Sequence, residues 1–234
     1  MNQPQMASLG LALALGIVHF LGEGLKIPEG TKHYRLISFA AGISIGYLFL
    51  DLLPHTYEAA SHLKNSVFLF LLLGFATVHL VEKYFYQHGK KAELYHNFKI
   101  LHSVTFFLYY FLVGCVLVEL TQTSILEGVL FVFPVMFHAA LSSASLSEIH
   151  GHFSPNTKER ILLSLAAPAG VLLTFLVPLP LTMHNITISA IAGILLYVFV
   201  KEFLPEREQG QPIFFIFGLI TFYLVLTLIR QLIN

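Results

Sequence analysis

Two histidines stand inside long oily stretches, where an imidazole is a costly choice unless it has work to do. His102 opens the polar face His102, Thr105, Tyr109 within "KILHSVTFFLYYF", and His138 opens the face His138, Ser142, Ser145. Neutral imidazole is a common ligand for zinc and related divalent ions. A lone buried histidine is equally at home as a hydrogen-bonded core residue, and a closed zinc site needs three or four ligands. A third stripe combines acids with a histidine. Ser44, Tyr47, Asp51, His55 and Glu58 recur at spacings of three and four, which places them on one helical face. Asp51, His55 and Glu58 suit a cation entering from water; they equally suit side chains that reach out to a membrane interface. His79, Glu82 and Tyr86 form a shorter stripe, in which His79 and Glu82 can pair with each other or with Lys83. "SEIHGH" (147–152) is histidine-rich, and its position between apolar runs makes it a solvated connection.

The elements that carry these residues must lie in lipid. Of the 234 residues, 56% are hydrophobic and 11% charged, with a mean hydropathy of +0.75. A soluble domain carries about 25% charged residues. Apolar runs long enough to cross a bilayer fall at about 6–26, 36–54, 66–86, 98–119, 124–147, 159–180, 186–204 and 212–232. The expectation is one all-α transmembrane domain of eight spans with short connections. The first run has no Lys or Arg before it, so it is expected to stay as a span rather than act as a signal peptide. Zero net charge argues against a nucleic-acid partner, and the single Cys115 excludes an internal disulfide.

Eleven of the thirteen Lys and Arg residues border the first, third, fifth and seventh connections; only Lys64 and Arg230 lie on the other side. The positive-inside rule then puts both termini on the non-cytoplasmic side of a plasma or inner membrane. Spans two and seven also resemble each other without a gap: "AGISIGYLFLDLLPH" (41–55) and "AGILLYVFVKEFLPE" (192–206) align Asp51 with Glu202, Pro54 with Pro205 and His55 with Glu206. They cross in opposite directions, so this is an expected inverted repeat, a construction common in secondary transporters.

Taken together, "FAAGISIGYLFLDLLPH", "LLLGFATVHLVEKY", "LAAPAGVLL" and "IAGILLYVFVKEFLPE" make the chain similar to the ZIP family of divalent metal transporters, closest to its short prokaryotic members. The resemblance implies eight helices with spans 1–3 repeated inversely by 6–8. It implies a carrier rather than an enzyme, and zinc or a similar divalent cation as the transported ion. No prosthetic group is implied. Lipid and metal ion are the expected partners, and a homodimer is left open.

The family's metal motif is only partly present. Where its fourth span carries His-Asn-x-x-acid, this chain has His102, Ser103 and, in place of the acid, Phe106. In the fifth span the ligand positions read His138, Ala139 and Ser142, and Ala167 precedes Pro168. A two-metal centre cannot be built from these positions, so Asp51, Glu58 or Glu82 would have to supply negative charge. Three readings stay open: transport through an altered histidine-based path, a transport-inactive relative that binds or senses, and an intramembrane hydrolase drawing on His19, His79, His102 and His138.

Overall fold

The computed structural model describes residues 1–22, 31–60, 64–88, 94–150, 157–203 and 210–233, with backbone alone at 85, 86, 88, 94–102, 141–150, 202 and 203. The regular elements among these are helical: α1 Gln3–Gly22, α2 Thr31–Tyr47, α3 Leu53–Glu58, α4 Ser66–His88, α5 Leu94–Thr123, α6 Ile125–His150, α7 Thr157–Ser164, α8 Ala166–Leu176, α9 Leu181–Val198 and α10 Pro212–Ile233. Among the described residues, seven spans are long and apolar enough to cross a membrane, and Ile125–Ala140 adds a shorter apolar helix. The chain is an all-α, multi-pass membrane protein. Helices satisfy their backbone groups internally, which is the condition for a segment to cross hydrocarbon.

Prolines shape two of the spans. Pro54 lacks the N–H that would bond to Leu50 O, and its ring crowds that carbonyl. The helix responds by widening: Leu48–Leu52 is a π-helical turn, closed by Leu53 N–H on Leu48 O, and it joins α2 to α3. A second π turn, Phe199–Phe203, succeeds α9 and precedes Pro205. In the span expected over 159–180, Pro168 frees the Ser164 carbonyl, and the helix breaks at Leu165 into α7 and α8. That carbonyl lies against the backbone of Gly16 on α1, where only a glycine leaves room.

Two helix pairs pack most closely, α4 with α9 and α2 with α10. Their contacts run through glycine, as is usual where helices approach in lipid. A methyl built on Gly42 of α2 would overlap Phe215 O and stand 2.9 Å from Leu219 N of α10; one on Gly218 would overlap Phe39 O. On the other pair, a methyl on Gly193 of α9 would overlap Leu71 O and stand 2.8 Å from Phe75 N of α4, and one on Gly74 would overlap Ala190 O. Helices α1, α5, α6 and α8 pack on one another, with α5 against α8 and α1 against α6, and meet the pairs through α5 and α6. Their buried core includes Leu15, Tyr110, Leu117, Leu130 and Val171.

Candidate functional site

The polar residues gather in three places. The first is the end of the molecule that holds α3, the start of α6 and the end of α10. Asp51 sits in the first π turn and is only 4% exposed, so it is a buried carboxylate rather than one reaching to the interface. Arg230 of α10 approaches it, with Nη2 3.4 Å from Asp51 Oδ1. The same Nη2 also lies 3.4 Å from Leu50 O, the carbonyl that Pro54 leaves without its helical partner. His55 Nδ1 lies 3.1 Å from the Asp51 carbonyl oxygen and 3.8 Å from its carboxylate; His55 Nε2 lies 4.0 Å from Glu127 Oε2. Glu127 stands in the first turn of α6, and Ser124 accepts the Leu126 N–H there at 3.3 Å. Two carboxylates, Asp51 and Glu127, stand here against one guanidinium, a set that favours cations.

Glu58 does not join that group. It is exposed. The π turn takes up an extra residue, so the buried positions pass from Asp51 and Leu52 to Thr56 and Ala59, and Glu58 at the end of α3 is off that face.

The second place is the middle of α6. His138 is fully buried and lies among aromatic rings. Phe106 stacks on it at 5.3 Å between centroids and 12° between planes; Tyr109 meets it edge-on at 6.0 Å, and Phe199 of the second π turn tilts against it at 5.9 Å. Phe106 thus covers the imidazole where the resemblance leads one to look for a carboxylate. The buried Tyr109 hydroxyl has no hydrogen-bond partner among the described residues. Beside His138, the described side chains offer this phenol as an oxygen donor. His102 is one turn before Phe106 on α5; its side chain is outside the described residues, as are those of Ser142, Ser145, Glu148 and His150, while His152 is outside altogether. Among the described residues no three His, Cys, Asp or Glu side chains are grouped to hold a metal ion. His19 packs edge-on against Tyr110 at 4.9 Å, and exposed His79 lies 5.6 Å from Tyr197.

The third place is at the far end of α4 and α9. Glu82 pairs with Lys201 of the second π turn and accepts a 2.7 Å hydrogen bond from the Tyr197 hydroxyl. It therefore ties two spans together rather than pairing with His79 or Lys83. A half-buried, charge-assisted bond of this kind contributes about 1–2 kcal/mol. Tyr197→Phe should lower thermal stability by that amount, measurable as a reduced Tm in detergent, while Tyr223→Phe on an exposed face should leave it unchanged.

Sequence reasoning passed over Arg230, Glu127, Tyr197 and Phe199. For Arg230 a signal was present: Pro54 leaves a carbonyl four residues upstream that needs a donor. No family model and no curated protein sequence matches this chain.

Proposed function

We propose that this is a ZIP-like carrier of a divalent cation, zinc or similar, built on an inverted repeat of spans 1–3 and 6–8. One observation carries the reading. The two π turns start at 48 and 199, an offset of 151 residues. The same offset relates Gly42 to Gly193 and Phe39 to Ala190 across the close helix contacts. An offset of 144 relates their partners on the other helix of each pair: Leu71 to Phe215, Gly74 to Gly218 and Phe75 to Leu219. Six positions in register, in spans that cross in opposite senses, are what an inverted repeat requires. In each copy an acid stands three residues before the proline, Asp51 before Pro54 and Glu202 before Pro205.

In this reading the negative mouth at Asp51, His55 and Glu127 collects the cation. His138, with the Tyr109 hydroxyl and His102, receives it within the bundle. Imidazole binds metal only when neutral, so transport declines in acid. The basic bias supports both termini on the non-cytoplasmic side. The test is radiotracer zinc flux into liposomes holding the purified chain. Uptake should exceed that of empty liposomes and fall at least tenfold in His138→Ala. In intact cells an impermeant thiol reagent should reach a cysteine at position 2 but not one at position 90. Folded protein that moves no more zinc than empty liposomes would refute the carrier reading.

A second reading is favoured by the Phe106 ring over His138 and by Arg230 on Asp51. Both occupy places a cation would need, as in a transport-inactive binding or sensing protein. Saturable zinc binding without flux is its signature.

A further inference from the structure

The tight crossing of α2 and α10 at Gly42 and Gly218 leaves a wedge between the helices toward their N-terminal ends, Thr31 and Pro212. The wedge is a groove of about 580 Å³ lined by Lys32, Arg35, Leu36 and Phe39 from one helix and Phe214, Phe217 and Thr221 from the other. Each set keeps helical spacing, so each is one continuous face. Lys32, Arg35, Leu36 and Phe217 are exposed. The groove is thus basic at its mouth and apolar along its length, and no acid lines it among the described residues.

We infer that this groove binds one anionic phospholipid, its phosphate on Lys32 and Arg35 and an acyl chain along Leu36, Phe39, Phe214 and Phe217. Three features support that occupant. Arg35 is held in place, its guanidinium carbon 5.2 Å from the centre of the Phe214 ring; a cation–π contact of this kind leaves the N–H edge available to a phosphate. The groove has a fixed shape, since Gln211 N–H donates to Ser38 Oγ at 3.0 Å and ties the start of α10 to α2. Basic clefts between spans at the headgroup level are suited to anionic headgroups. The other glycine-locked pair supplies an internal comparison. At the same offsets of 151 and 144, Phe214, Phe217 and Thr221 correspond to Phe70, Leu73 and Thr77, whereas Lys32 and Arg35 correspond to Met183 and Ile186. Those three positions keep their character, Leu36 and Phe39 correspond to the smaller Thr187 and Ala190, and the cations occur in one pair alone. Packing therefore does not require them.

The experiment measures lipid retention by native mass spectrometry on the full chain in mild detergent. The probes are phosphatidylglycerol, phosphatidylcholine with the same acyl chains, and soluble glycerol phosphate as a competitor. Wild type should retain one phosphatidylglycerol in preference to phosphatidylcholine, and millimolar glycerol phosphate should not displace it. At the worth of a basic residue near an anionic lipid surface, Lys32→Gln and Arg35→Gln should each weaken retention about fivefold and the double variant about thirtyfold. Lys64→Gln, a cation at the opposite end, should change nothing. All three substituted residues are exposed, so the single variants give a reading even if the double is poorly expressed. Equal retention of the two lipids by wild type, or undiminished phosphatidylglycerol on folded single variants, would overturn the assignment. Displacement by glycerol phosphate would overturn it in favour of a soluble phosphate ligand. Zinc flux does not enter these readouts, so this inference stands or falls apart from the carrier reading.

Discussion

Gly42→Leu and Gly193→Leu should each prevent stable folding. At both positions even a first carbon would overlap a backbone carbonyl of the facing helix, Phe215 O or Leu71 O, with a backbone nitrogen within 3 Å. A flexible side chain could swing away, but a helix carbonyl moves only with its helix. Overpacking elsewhere costs about 1–3 kcal/mol. Here the cost should reach about 3 kcal/mol or more per site, a large share of the 5–15 kcal/mol that holds a typical native state. Fluorescence-detected gel filtration of heated samples would show little folded protein for either variant. Gly10→Ala is the control. Nothing lies within 4 Å of the added carbon, and removing a helical glycine should raise stability by about 0.5–1 kcal/mol. A Gly42→Leu protein as heat-resistant as wild type would mean that α2 and α10 are not in backbone contact.

The second large effect is expected at Phe106. Phe106→Glu puts a carboxylate against the His138 ring, in a site now closed by Tyr109 and Phe199. Without metal the change should destabilise, because a buried carboxylate with no cation is costly. With zinc the sign reverses: carboxylate and imidazole become joint ligands, and zinc binding should tighten at least tenfold, a gain of about 1.4 kcal/mol or more. The same protein should therefore melt lower than wild type in chelator and recover as zinc is added, since a ligand that binds only the native state raises its stability. Calorimetric titration measures the affinity and thermal melts measure the crossover. Unchanged zinc affinity in a folded Phe106→Glu protein would remove His138 from the metal path.

Legibility in the sequence depends on the range of the interactions involved. The spans were legible because crossing hydrocarbon depends on local apolar length, which a window of residues contains. His138 was legible as a buried imidazole for the same reason. Its surroundings were not, because Phe199 comes from another span and nothing local links the two. Asp51 and Arg230 are 179 positions apart, so a pair that only tertiary packing creates was seen as two separate charges. The buried register after Asp51 was hidden for a different reason: the stripe presumes 3.6 residues per turn, and beyond the π turn at Leu48–Leu52 the buried positions are Thr56 and Ala59. The break at Leu165 had its cause in plain view at Pro168, yet continuous hydropathy concealed it.

The glycine contacts also have a mechanical consequence. Where backbone lies on backbone, there is no layer of side chains to shear, so α2 with α10 and α4 with α9 each behave as a single stiff beam two helices wide. Compliance is left to the seams where larger side chains meet, such as Tyr47 against Phe131 of α6 and His138 against Phe199. Any rearrangement of this bundle then divides it along those aromatic seams and carries each beam whole. Asp51 and Arg230 share one beam, and Glu82 and Lys201 sit where the other passes into its π turn. The ion pairs would travel as cargo fixed to the beams, neither made nor broken by their passage.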